Sequence, residues 1–115
     1  MSRVFVLQEP IPRSLTGWVP DIRPASKHGE ISYVFNKADK PHSWPQEQVE
    51  FRLKEVLRAY DPKEDSILWC GGDLIVLILC TAYMAFEFEI MHLLQWQRAD
   101  NGGFYSRTPV AFGHI

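Results

Sequence analysis

Ile67-Leu68-Trp69-Cys70-Gly71-Gly72-Asp73 is a short apolar run closed by two glycines and an acid, and it leads directly into Leu74 to Phe86, which is almost wholly apolar. An uninterrupted apolar run this short reads as a strand buried on both faces. The paired glycines read as a sharp turn, and the longer run reads as a helix with Asp73 at its cap. Strand, tight turn and helix in that order form one half of a parallel crossover unit. A helix that is apolar all round is expected at the centre of the molecule. It covers about 13 residues where roughly 20 are needed to span a bilayer, so no membrane span is expected.

Upstream of this segment, Ser43 with Gln46 three residues on has capping-box spacing and predicts a helix running to about Tyr60. Val49, Leu53, Val56, Leu57 and Tyr60 form one apolar face, and Glu50 and Lys54 make an i,i+4 pair on the wet side. Phe51 points away from that face. Either the N-terminal arm covers it or a partner does. Ile31-Ser32-Tyr33-Val34-Phe35 and Val4-Phe5-Val6-Leu7 have the composition of strands. Between them, residues 9–30 are proline-rich and aperiodic but include Leu15, Trp18, Val19 and Ile22, so they read as an irregular arm laid across the domain.

Downstream, Ile90 to Gln97 and Phe104 to Val110 flank Asp100-Asn101-Gly102-Gly103, a strong turn signal. The last strand is expected to run antiparallel at an edge, where Pro109 is tolerated. The predicted fold class is α/β. It has a small mixed sheet with a β-α-β-α-β core from Ile31, an antiparallel C-terminal hairpin strand and two main helices. All of it fits a single domain over residues 1–115.

Composition supports this. The chain has 115 residues, 46% hydrophobic and 23% charged, with a net charge of −2, which excludes disordered, collagen-like and disulfide-scaffold classes. Residues 1–63 carry ten basic and eight acidic groups and residues 64–115 two and six, so nothing provides bulk attraction for nucleic acid or anionic membrane. Cys70 and Cys80 read as free thiols of a reduced, cytoplasmic protein. The histidines, His28, His42, His92 and His114, lack ligand spacing, so no metal or other cofactor is expected. The N-terminus is broken too early by Pro10 for a signal peptide.

Chemistry-bearing patterns are few. Gly71-Gly72-Asp73 sits where open α/β sheets place ligands, beyond a strand's carboxyl end. An Asp cap uses the amides a phosphate would need and repels its charge. The turn is therefore either purely structural or a site for an amine, hydroxyl or metal through Asp73. Asp61, Glu64 and Asp65 read as a solvated turn at the opposite end, and His92 as a core or edge histidine. No nucleophile, base or oxyanion arrangement is present, so no catalytic residue is assigned and no enzyme is expected. Trp96, Arg98, Tyr105 and Arg107 flank the hairpin turn. Aromatic and guanidinium groups together suit base stacking or a protein interface; alternatively the aromatics simply close the core edge. With Trp18, Trp44 and Phe51 they make up the interface candidates.

The elements Pro24-Ala25, Gly29-Glu30-Ile31, Glu64-Asp65-Ser66-Ile67-Leu68, Gly71-Gly72-Asp73, Leu93-Leu94-Gln95-Trp96-Gln97-Arg98 and Gly103-Phe104-Tyr105 are similar in order to a family of small tailed-bacteriophage proteins. That family tends to carry a GDP segment and a WDR-type ending; here Leu74 replaces the proline and Gln97 the aspartate. The resemblance transfers no activity and implies only a phage protein acting in the cytoplasm of an infected bacterium. The expected function is a non-catalytic interaction protein that binds and modulates a host protein, with a homodimer also open. The alternatives are a single-stranded nucleic-acid-binding module, a small-molecule or nucleotide enzyme using Gly71-Gly72-Asp73, and a virion component.

Overall fold

The computed structural model describes residues 1–12, 17 and 19–113; Trp18 lies outside the described residues. Five strands form one sheet: β1 (Arg3–Gln8), β2 (Glu30–Phe35), β3 (Ser66–Leu68), β4 (Ile90–Gln97) and β5 (Phe104–Ala111). Their order is β2-β1-β3-β4-β5. The first four are parallel and β5 returns antiparallel to β4. This is the expected α/β class with its mixed sheet, its antiparallel C-terminal hairpin strand and two main helices, α1 (Gln46–Leu57) and α2 (Leu74–Glu87).

The N-terminal run occupies the middle of the sheet. Phe5 lies opposite Ser32 of β2 and Ile67 of β3, so β1 is covered on both sides and both faces. Phe5 and Leu7 face the layer containing α1 and α2, whereas Val4 and Val6 face Ile22 and Ala25. All four residues are at most 1% exposed, which is why the strand has no alternating polar pattern. The arm also differs from the expectation: Arg23–His28 is a 310 helix that covers the second face of the sheet.

Several local expectations are corrected. Ser43 does not cap α1; it ends a short 310 turn, its Oγ donates to the Lys40 carbonyl, and Pro45 stands at the cap. Pro45 has φ −58°, and its ring suits a helix start. The helix stops at Leu57, not Tyr60. Glu50 accepts from Gln46 Nε2 at 2.8 Å, a helical i,i+4 contact in the other direction from Lys54. Asp65 is not solvated: it is 2% exposed, and its carboxylate accepts from the backbone amides of Arg3 and Asp61 at 2.8 and 2.9 Å.

α2 is also not buried all round. Val76, Cys80 and Met84 pack into the core, but Leu74, Ile75, Ile78 and Phe86 are 59%, 38%, 53% and 86% exposed. α1 and α2 lie side by side on one face of the sheet, and among the described residues no further layer covers them. Among the described residues, no helix is long and apolar enough to cross a membrane.

Candidate functional site

The connection from β1 to β2 moves to one side and the later crossovers move to the other, so the strand order reverses between β1 and β3. Open α/β sheets bind ligands in the crevice at such a reversal, beyond the carboxyl ends of the strands. Here β1 ends at Gln8 and β3 is followed by Cys70-Gly71-Gly72-Asp73. Gly71 and Gly72 have φ of +112° and +103°, a region that favours glycine. Gly72 packs so closely on Gln8 that an added Cβ would lie 3.0 Å from the Gln8 side chain.

Asp73 caps α2 as expected. Its Oδ1 accepts from the Ile75 amide at 3.1 Å and its carbonyl from the Val76 amide at 3.1 Å. Its Oδ2 is buried and has no partner among the described residues. Two cavities open here. One, of about 210 Å³, is lined by Gln8, Pro10, Ile11, Pro20, Cys70 and the glycines. The other, of about 300 Å³, is lined by Gln8, Ile11, Lys40, His42, Gly72 and Asp73. The Cys70 thiol donates to the Gln8 carbonyl at 3.7 Å, and burial raises its pKa. It therefore stays protonated and serves as a wall of the crevice. Cys80 is pushed up to about 12 by burial in the core.

The hairpin residues separate into two groups. Trp96 and Tyr105 meet edge to face at 5.0 Å, beside Val19, Pro20 and Pro24 of the arm, around a cavity of about 570 Å³. Trp96 is 45% exposed, Phe104 51%, and Arg98 is exposed. Arg107 instead turns inward. Its guanidinium donates to Ser66 Oγ and to the carbonyls of Pro62, Lys63 and Asp65, fastening β5 to the loop before β3. This use of its donors removes it from the outward-facing set. Trp44 packs edge to face on Phe35 at 5.3 Å under the Arg52 guanidinium. Beside Arg107, His92 has a lowered pKa from desolvation and from the Arg107 charge, and its buried Nδ1 has no partner among the described residues.

Phe51 is 67% exposed. The arm's 310 helix does not cover it, since that helix packs on the opposite face of the sheet. On α2, Ile75, Ile78, Ala82 and Phe86 recur at i, i+3, i+7 and i+11 on the outward side, with Leu74 beside them. They adjoin a groove of about 360 Å³ between the helices, lined by Leu53, Leu79, Ala82, Tyr83 and Phe86, with Glu50, Glu87 and Lys54 also in its walls. Sequence reasoning missed this face. The available signal was arithmetic: with two long helices among the described residues, both on one side of the sheet, no further described element is left to cover their backs.

Among the described residues, no three metal-ligating side chains gather. Fold and geometry together define a small α/β protein with a strand-end crevice and an exposed apolar helical face. The chain belongs to the Phage Pam3 gp32-like protein family, which it matches over residues 2–110. No curated protein matches it, and no solved structure matches it.

Proposed function

We propose that this phage-family protein is a non-catalytic interaction module that binds and modulates a host protein through the outward face of α2 and its groove with α1. The observation that carries the reading is the apolar stripe of Ile75, Ile78 and Phe86, with Leu74 beside it, exposed to solvent. Large contiguous apolar patches on soluble proteins mark interaction sites. The groove also indicates the partner's chemistry. Its walls carry two carboxylates, Glu50 and Glu87, against the single cation Lys54, which favours an apolar segment flanked by basic residues. An amphipathic helix lying in the groove is the recurring form of such recognition.

The hairpin is the weaker candidate for single-stranded nucleic acid. Arg107 is occupied internally, so Arg98 is the remaining cation of that group.

The test is capture from bacterial lysate with nuclease present, followed by purification of the captured protein and titration against wild-type and Phe86→Ser chains. A purified host protein that binds the wild type and loses at least tenfold with Phe86→Ser, at unchanged melting temperature, is the expected result. If the wild-type chain sediments as a dimer that Phe86→Ser dissociates, a second copy covers this face and the host-docking assignment is wrong.

A further inference from the structure

We propose that the slot where β4 runs on past the end of β3 takes an extended, apolar peptide segment as an added strand, held by the backbone of Leu94 and Trp96. This site is separate from the outward helical face and does not depend on it. Three observations converge on it.

The first is a mismatch in strand length. β3 has three residues and β4 has eight. Their ladder is the single pair of Ile67 with Leu93, whereas β4 pairs with β5 along its whole length. β3 stops early because the chain must turn at Gly71 and Gly72, both at positive φ, to enter α2. Along a strand, successive residues direct their amides and carbonyls to opposite sides. The Phe112 amide donates to the Glu89 carbonyl, and the His92 amide donates away from β5 to the Tyr60 hydroxyl. Met91, Leu93, Gln95 and Gln97 therefore face β5, and His92, Leu94 and Trp96 face the β3 side. Beyond the Ile67 pair, the Leu94 carbonyl and both backbone groups of Trp96 have no strand opposite them among the described residues. A row of unpaired amides and carbonyls is a template for another strand.

The second is room of the right shape. A cavity of about 450 Å³ occupies the slot, and its walls come from both faces of the sheet. Leu77 and Leu93 belong to the helical side, and Leu68, Leu94 and Tyr105 to the other. A strand inserted there sends alternate side chains to the two sides, so each finds an apolar wall. Trp69 and Trp96 also line the slot, and both are exposed. None of the lining residues carries a charge, which selects an apolar segment.

The third is the contrast with the outer edge of β5. By the same alternation, Tyr105, Arg107, Pro109 and Ala111 face outward there. His28 Nε2 already donates to the Tyr105 carbonyl at 2.9 Å, and Pro109 has no amide to offer. A covered carbonyl and an edge proline both blunt a strand against pairing. The outer edge is thus obstructed while the inner one stays open.

The test is a nitrogen–proton correlation titration of the whole chain with a pool of acetylated, amidated hexapeptides. These carry lysine at both ends and valine, isoleucine, tyrosine or phenylalanine at the four inner positions. A second pool has the same sequences N-methylated at the inner amides, so that they keep their side chains but cannot donate. We expect saturable shifts at the amides of Gln95, Trp96 and Gln97 and at the Trp69 indole with the first pool. Hydrogen exchange at the Trp96 amide should slow at least tenfold at saturation, and the second pool should bind at least tenfold more weakly. Trp69→Ser should weaken binding of the first pool at least tenfold; if that variant does not fold, the comparison of the two pools on the wild type decides. Absence of shifts at millimolar peptide, equal binding of the two pools, unchanged exchange at Trp96, or full affinity in a folded Trp69→Ser chain would each overturn the assignment. So would shifts confined to Ile31 and Tyr33 on the β2 edge, or to the outward residues of α2.

Discussion

Asp65 and Arg107 show how much one polar side chain can hold in a small sheet. Asp65 accepts two backbone amides, those of Arg3 and Asp61, at 2% exposure. Asp65→Ala leaves both donors without their partner, and a buried unsatisfied group costs about 1–3 kcal/mol; urea unfolding should show a loss of about that size for each donor left buried. Arg107→Ala should likewise destabilise, because Ser66 and three carbonyls lose their donor. Arg98→Ala, at an exposed position, should leave the urea midpoint unchanged. His92 sets a pH dependence. Its folded pKa is lowered by desolvation and by Arg107, so the unfolded chain takes up the proton first as pH falls. The stability associated with His92 is full above its ordinary value of 6.5 and is lost progressively below it. The urea midpoint should therefore fall between pH 7.5 and about 5.5, and less so in His92→Gln.

Among the elements, α2 behaves as two helices in one. Met84→Ala, on the core side, should cost about 2–5 kcal/mol through the cavity it leaves. Ile78→Gln, on the outward side, should stay within about 0.5 kcal/mol, and chemical denaturation of the two variants checks the contrast. The hairpin turn is equally specific: Gly103 has φ +139°, and an added Cβ would meet Trp96 Cζ2 at 2.5 Å and the Gln97 carbonyl at 2.6 Å. Gly103→Ala should cost about 1–3 kcal/mol and disturb the Trp96 indole, which its near-ultraviolet circular dichroism would report. These elements also mark what could be read from the sequence. Strand positions, the Asp73 cap and the hairpin were legible because each depends on local chemistry. Arg107 and Asp65 were not, since Arg107 reaches Ser66, 41 residues away along the chain, and Asp65 ties itself to Arg3, 62 residues away. The apolar composition of α2 was legible, but the direction it faces was not, because hydropathy is uniform around the helix and only the count of covering layers decides it. Of the crevice, Gly71-Gly72-Asp73 was visible, whereas Gln8 became part of it only through the central placement of β1.

At the scale of the whole molecule, the order β2-β1-β3-β4-β5 makes the first strand the keystone of the sheet. Removing residues 1–8 would take away the partner of both β2 and β3 and open both faces of the core. Such a truncation should show no cooperative unfolding transition, although it retains every helix and the hairpin. The same placement has a consequence during synthesis on the ribosome. Val4-Phe5-Val6-Leu7 is made first, but Leu68, which pairs with Val6, follows about 60 residues later, or roughly 3–12 s at 5–20 residues per second. For that interval the stickiest strand of the protein has no flanking partner on its β3 side. The growing chain is therefore most exposed to misassociation before its third strand emerges, and slowing translation within residues 30–66 should lower the soluble yield more than slowing it after residue 97.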